Sequence, residues 1–540
     1  MKELEFTSLI DMFESCFQKY GDEVAFENMG KSITYRELDT SSRNFAAYLQ
    51  NRCGLKKGDT IALQMPNILQ YPIALVGALR AGLIVVNTNP LYTPREMKHQ
   101  FTDAKVKAVV IVSNFASNLE KILNETAIEH VIVTSLGDML GTIKGGIENF
   151  VVKYVKKMVP SFDLPKAVSF KYALKEGNKL QYQKPVIELP DLAFLQYTGG
   201  TTGVSKGAQL SHENILAHTQ QINLWFKPLL TEGQRETMIT AIPLYHIFAL
   251  SVNGLFMMRI GAKNVLITNP RDMKGFVKEL KKQAFTLMTG VNTLFNGLLN
   301  QDEFKNVNFS HLKGCIGGGM AVQDSVAKKW EEVTSSPLVE GYGLSETSPV
   351  LSCNPLDGTH KMGTIGIPTP STEMAVFDEQ GNKLADGEVG EICAKGPQVM
   401  SGYWGRDNAD VFFEGGWFRT GDMGQMDEDG FFRIVDRKKD MINVSGFNVY
   451  PNEIENVVAN HPKVLEVAAV GVPDERSTEV VKIFVVKSDE SLTEAELNKY
   501  CDENLTGYKT PKYIEFKEEL PKSNVGKILR RELREADAAN

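Results

Sequence analysis

The chain has no C-x-x-C pair, and its six cysteines stand apart at 16, 53, 315, 353, 393 and 501. That spacing excludes a disulfide-stapled fold and suits a reducing cytosol. The eight histidines form no cluster at metal-ligand spacing, so no His- or Cys-held metal centre is expected. Positive charge is not in excess: 59 Lys and Arg stand against 67 Asp and Glu, a net charge of −8. No nucleic-acid partner is expected from that balance. The most apolar long stretch, 242–258, is broken by Pro243, His246, Ser251, Asn253 and Gly254, and it is too short and too polar to cross a bilayer. The first residues, MKELEFTSLIDMFESCF, carry acids inside their apolar pattern, unlike a secretory signal. No internal repeat or low-complexity segment interrupts the chain. The expectation is a soluble, cytoplasmic protein, and 540 residues are enough for more than one domain.

What is present is a regular rhythm. Thr34-x-x-Glu37 is a capping box before an amphipathic helix that stops at Gly54. Residues 59–64, 68–80 and 83–87 read as a β-α-β unit, and 107–112, 118–123 and 130–134 continue the alternation. It returns with strands at 238–242, 264–267 and 286–289, so two doubly wound parallel sheets are predicted. From Ser371 short strands and turns (EMAVFD, GEICAKG) predict a small antiparallel sheet or barrel. Beyond Asp436, strands at 464–470 and 480–486 and a helix capped by Thr493 predict a separate α+β domain of about a hundred residues. The fold class is therefore α/β: a large N-terminal domain, 1–436, of two doubly wound sheets plus a small β-barrel, and a small mobile α+β domain, 437–540.

The chemistry concentrates in a few loops. At 197–208 the sequence YTGGTTGVSKGA lies between an apolar strand, 191–196, and a helix that Ser211 would cap. Glycines let backbone N–H groups converge on an anion, hydroxyls add donors or a metal ligand, and Lys206 adds charge. No G-x-x-x-x-G-K-[ST] spacing fits, so it is not a Walker loop. Read alone it is also compatible with a mobile surface turn. CIGGGM at 315–320 gives three glycines after a strand, where a flat group can approach the backbone or the chain can simply turn. EGYGLSE at 340–346 offers an aromatic face, a hydroxyl at Ser345 and a carboxylate at Glu346. GWFRTGD ends on Asp422, a natural bidentate acceptor for ribose hydroxyls or an Asx-turn residue. DRKKDMI at 436–442, SGFNVYPNEI at 445–454 and PKSNVGKILRREL at 521–533 complete the set.

Taken in this order, these motifs resemble the adenylate-forming superfamily of acyl-CoA synthetases, coumarate–CoA ligases, luciferases and peptide-synthetase adenylation domains. The resemblance spans essentially the whole chain. PLYHIFAL, TNPRD, TGVNTLF, GFNVYPNEIE and PKSNVGKILRREL are most similar to bacterial long-chain fatty-acid–CoA ligases. The resemblance implies a large domain joined to a small mobile one. It also implies activation of a fatty carboxylate by ATP to acyl-AMP and pyrophosphate, followed by transfer to the thiol of coenzyme A, with Mg²⁺ as cofactor.

Residue by residue, it implies that Tyr197, Thr198, Gly199, Gly200, Thr201, Thr202, Gly203 and Lys206 hold the β- and γ-phosphates. Thr198 and Glu346 then lie near Mg²⁺. Gly318, Gly319, Gly341, Tyr342 and Gly343 form the adenine and AMP cradle, and Ser345 reaches the α-phosphate. Asp422 and Arg437 take the ribose, Lys439 sits in the hinge, and Ser445, Gly446 and Phe447 line the pantetheine channel. Lys527 matches the adenylation lysine, so Lys527 and Glu346 are the catalytic candidates. The acyl pocket is bounded by the His246 segment, by 289–295 with Gly290, and by the glycines at 317–319 and 341–343, Gly317 among them, with His246 packing or gating rather than moving protons. Three positions depart from the family pattern. Ser205 stands where many members have Pro, Ser345 replaces the usual Thr, and Asn443 stands where luciferases and coumarate ligases carry Lys. Acetate-specific relatives carry Trp at the position of Gly343, so glycine there implies a deep apolar tunnel.

Two other functions share parts of this pattern: an acyl-AMP ligase that loads a carrier protein, and a fatty-acid binding or uptake protein with a vestigial nucleotide site. Residues 147–158, IENFVVKYVKKM, place Ile147, Phe150, Val151, Tyr154, Val155 and Met158 on one helical face with Lys153, Lys156 and Lys157 off it. That pattern fits either a helix packed on the core or a reversible contact with anionic membrane at its inner face. The oligomeric state is open, a homodimer included.

Overall fold

The computed structural model describes residues 3–198, 205–474, 476–523 and 526–538. Two large sheets form the body. The first has seven strands in the spatial order Val168–Ser169, His130–Thr134, Ala108–Val112, Thr60–Gln64, Ile84–Asn87, Leu192–Thr198 and Lys206–Ser211. Its pairs are parallel except the last. The second runs through nine strands, with parallel pairing from Leu338–Gly343 to Val24–Asn28 and antiparallel pairs at both ends. Strands such as Thr60–Gln64 and Ala108–Val112 are buried at every position, which is why they read as continuous apolar runs.

The helix Gln70–Arg80 is buried along its whole length, and the main core cluster takes side chains from both sheets around it. The predicted capping box at Thr34 starts the helix Tyr35–Asn51. A five-stranded antiparallel sheet follows from Glu373–Phe377 to Phe432–Arg437. A last five-stranded sheet, built on the long hairpin Val464–Asp474 and Thr478–Lys487, has its own core around Ile442, Ile454, Ile483 and Leu497.

Two elements differ from the sequence reading. The phosphate-loop motif does not run from a strand into a helix. It joins two antiparallel strands, with Thr198 paired to Lys206, and the helix His212–Phe226 begins only after Ser211. The strand Lys206–Ser211 thus separates the helix N-terminus from the loop. The apolar 242–258 stretch contains a π-helix, Ala249–Phe256, buried at all eight positions. Wide π turns recur at functional sites, and this one packs beside His212–Phe226.

Candidate active site

A cavity of about 2650 Å³ opens at the carboxyl ends of the nine-stranded sheet, between the body and the last sheet. This is where open α/β sheets bind ligands. An apolar limb of its lining comprises Ile222, Trp225 and Phe226 from one helix, Val252 from the π-helix, and Val350 and Cys353 from the sheet. The rest of the lining is more polar and holds most of the predicted residues.

The strands Trp417–Met426 and Phe432–Arg437 pair with Asp422 opposite Arg437, so both side chains leave the same face of the sheet. The Arg437 Nε lies 3.2 Å from Asp422 Oδ1, and the Tyr342 hydroxyl donates to Asp422 Oδ2 at 2.7 Å. The Asp422 carboxylate raises the Arg437 pKa, and Tyr342 is likewise raised, first by burial. Gly318, Gly319, Gly341, Gly343 and Ser345 line the same space. Lys439 lines it too, its pKa lowered to about 8 by burial and then by Arg437.

Lys527 reaches this group from the small sheet's side. The Thr293 hydroxyl donates to the Gly526 carbonyl at 2.8 Å, fastening the adjacent backbone to the body. The Lys527 amine is lowered to about 7 by the Arg437 guanidinium first and burial second. His246 also lines the cavity, and burial lowers its imidazole to about 4, so it is neutral at pH 7. A neutral imidazole suits a packing role.

Glu346 sits in the short turn Ser345–Thr347, buried, where burial raises its carboxyl pKa. Its Oε1 accepts the Tyr403 hydroxyl at 2.6 Å, and Lys206 Nζ stands 5.2 Å from the centre of the Tyr403 ring. Thr198 and Lys206 line the cavity at the two ends of the phosphate loop. Gly199, Gly200, Thr201, Thr202 and Gly203 lie outside the described residues.

Several predicted residues are not brought to the cavity. Gly290 and Gly317 lie behind its wall: an added Cβ would meet the Phe295 ring at 2.8 Å and Val322 Cγ2 at 2.3 Å. Ser445, Gly446 and Phe447 form the turn of a hairpin outside the cavity, with Phe447 stacked on Tyr508 at 4.8 Å between ring centres. Asn443, the family's lysine position, accepts the Gly446 N–H at 2.9 Å and holds that turn, which a lysine has no acceptor to do. Gly343 does not open onto a tunnel that a side chain there would simply plug. A Cβ there would lie 1.9 Å from the Pro349 carbonyl oxygen, so a side chain at 343 meets backbone before it meets an acyl chain.

Sequence reasoning missed the bracing of the phosphate loop. Asp103 accepts the Tyr197 hydroxyl at 2.6 Å and the Arg406 guanidinium at 2.7 Å, and its carbonyl takes the Trp404 indole N–H at 3.1 Å. The His99 Nε2 lies 2.8 Å from the Ser205 carbonyl. The Trp404 N–H donates to the Gly207 carbonyl at 2.8 Å, carrying Tyr403 into place. The only sequence signal was the spacing of His99 and Asp103, one helical turn apart.

The family profile described as AMP-binding enzyme matches residues 13–404, and that of the AMP-binding enzyme C-terminal domain matches 453–527. The chain belongs to the AMP-binding enzymes. Among its relatives, a long-chain-fatty-acid–CoA ligase of Escherichia coli O6:H1 is 59% identical over 531 residues, covering 98% of this chain and 94% of that one. The long-chain-fatty-acid–CoA ligase of Bacillus subtilis is 38% identical over 530 residues, covering 97% and 93%. Of solved structures, ATP-bound MatB from Rhodopseudomonas palustris aligns with a TM-score of 0.83 at 27% identity, covering 98% of each chain.

Proposed function

We propose that this protein is a long-chain fatty-acid–CoA ligase. It condenses ATP and a fatty acid to acyl-AMP and pyrophosphate, then transfers the acyl group to coenzyme A and releases AMP. The observation that carries the reading is the convergence of Lys527, Arg437, Asp422 and Tyr342 on one cavity that continues into an apolar limb. Near-full-length identity to long-chain-fatty-acid–CoA ligases supports it. Pyrophosphate release with palmitate and ATP, measured with and without CoA, is the test. Release without CoA-dependent turnover favours an acyl-AMP ligase that loads a carrier protein. No release favours a binding protein.

In this reading Tyr342 stacks on the adenine, and Asp422 and Arg437 hold the ribose. The Lys527 amine bridges the fatty carboxylate and the α-phosphate, stabilising charge as the new P–O bond forms. Ser345, Lys206 and the 199–204 loop hold the phosphates. A Mg²⁺ ion fits here without a protein cage, because such ions are held by one or two carboxylates plus substrate phosphates. No cluster of three acidic, His or Cys ligands occurs among the described residues. Glu346, with one oxygen on Tyr403 and no side-chain partner on the other among the described residues, and Thr198 are the donors that would hold it. When bound, the ion supplies neutralisation of phosphate charge.

The reading divides the chain at 436/437, with Lys439 at the hinge. The hairpin at 445–447 reaches the pantetheine arm of CoA only after the small domain turns, so two conformations serve the two half-reactions.

The reading also includes a peripheral contact with anionic membrane. No described helix is long and apolar enough to cross a membrane. However, the helix Thr142–Phe150 and its π-wound continuation Val151–Val155 leave Ile143, Ile147, Phe150, Tyr154, Val155 and Met158 exposed. Lys153, Lys156 and Lys157 are exposed beside them. An apolar stripe edged with lysines fits an anionic lipid surface.

A further inference from the structure

Tyr92 and the helix Pro94–Asp103 present one stripe to the flanks of the phosphate loop: Tyr92, Arg95, His99 and Asp103, at successive spacings that bring side chains onto one helical face. Three of the four grip those flanks. The Tyr92 hydroxyl meets the Ser205 side chain, His99 Nε2 lies 2.8 Å from the Ser205 carbonyl, and Asp103 takes the Tyr197 hydroxyl at 2.6 Å. Arg95 stands between Tyr92 and His99 and has no hydrogen bond or ion pair among the described residues. It is exposed and lines the same cavity as Thr198, Ser205 and Lys206.

The cations and acids around it are otherwise engaged. Lys98 pairs with Glu125, Arg406 pairs with Asp103, and Glu96 closes the capping box with Thr93. An unpaired guanidinium thus lines the cavity that Thr198, Ser205 and Lys206 also line, on a helix whose neighbouring side chains hold Tyr197 and Ser205.

We propose that Arg95 is a contact for the terminal phosphates, engaging the β- and γ-phosphates of ATP and holding pyrophosphate as it departs. The inference rests on the ligase reading. In adenylation the carboxylate oxygen bonds to the α-phosphorus, and the bond from that phosphorus to the oxygen bridging to the β-phosphate breaks. The electron pair leaves on pyrophosphate, so negative charge accumulates on the departing group. A planar guanidinium takes two phosphate oxygens at once, which a lysine cannot.

The test is calorimetric binding of ATP, pyrophosphate and AMP to the full chain, comparing wild type with Arg95→Ala and Arg95→Lys. Loss of a charge-assisted contact is expected to weaken ATP and pyrophosphate about tenfold or more. AMP, which lacks those phosphates, should weaken less than twofold, and Arg95→Lys should recover part of the loss. Equal weakening of ATP and AMP, no weakening of either, or an effect confined to CoA overturns the assignment. Palmitate-dependent pyrophosphate release by the wild type is measured in parallel. Its absence overturns the ligase reading, whereas its presence with unchanged ATP binding in Arg95→Ala overturns only this inference.

Discussion

A free lysine is fully charged at pH 7, yet the Lys527 amine, facing Arg437 and half-buried, titrates at about 7 against an ordinary value of 10.5. Between those values the unfolded chain holds a proton that the folded chain has released, so stability rises with pH across that window. Below about 7 both states are protonated and the unfavourable charge is fully felt. Lys527→Met should therefore melt above wild type at pH 6, with the gap closing between pH 7 and 10.5. A constant gap in thermal melts across that range would mean that the Lys527 amine is not lowered by Arg437 and burial. Function should suffer in the opposite sense. Lys527→Ala should lose acyl-AMP formation by roughly two to three orders of magnitude, yet convert supplied acyl-AMP and CoA to thioester at a near wild-type rate. Equal loss in both half-reactions, measured by rapid quench on folded protein, would remove Lys527 from the bridging role. At this scale Thr198, Lys206, Ser345, Glu346, Asp422, Arg437 and Lys527, which line one cavity, could be singled out because chemistry restricts residue identity in such loops. Tyr403 and Asp103 could not, since their partners lie 57 and 94 residues away and no local spacing encodes that.

The helix His212–Phe226 and the π-helix Ala249–Phe256 frame the apolar limb, and specificity for chain length is expected to depend on them. Ile222 is buried and lines that limb one turn before Trp225 and Phe226. Ile222→Trp should shorten it. The ratio of palmitate to octanoate turnover is expected to fall at least about tenfold, in line with an overpacking penalty of roughly 1–3 kcal/mol. An unchanged ratio would put the acyl chain elsewhere. Gly343 is the poorer position for that experiment. Even Gly343→Ala must displace the Pro349 backbone and should lower the melting temperature whatever the substrate. Most elements were legible from burial periodicity and capping boxes. The strand Lys206–Ser211 was not, because in KGAQLS only Ala208 and Leu210 are apolar, too short an alternation to read, and its neighbours suggested a turn into a helix. The π winding was invisible for another reason: a segment buried on all sides carries no periodicity to read.

For the molecule as a whole, the exposed 142–158 segment sets an expectation about location. Flotation with anionic liposomes should carry the wild type upward. The triple substitution Lys153→Glu, Lys156→Glu, Lys157→Glu should lower the membrane partition constant about a hundredfold, at roughly 1 kcal/mol for each basic residue near an anionic surface. Equal flotation would reassign the patch. The two-sheet body and the separate C-terminal sheet were legible from changes in texture along the chain. The orientation of the small sheet was not, since it depends on few contacts, among them Thr293 to Gly526 and Asn296 to the Leu465 carbonyl.

Arg530 extends this to the order of synthesis. Its guanidinium reaches Asp436 Oδ1 at 3.2 Å and Glu455 Oε2 at 2.6 Å, with Asp440 beside them at 3.7 Å. Asp436 and Glu455 precede it by 94 and 75 residues. On the ribosome these carboxylates emerge long before the cation that neutralises them. Until it arrives, burying Asp436 leaves a charge without its partner, a strongly unfavourable state. The two-sheet body can complete its core while translation continues. The segment that delivers Lys527 cannot settle until Arg530 has emerged, so a nascent chain stalled just short of it should present a formed nucleotide cradle without its lysine.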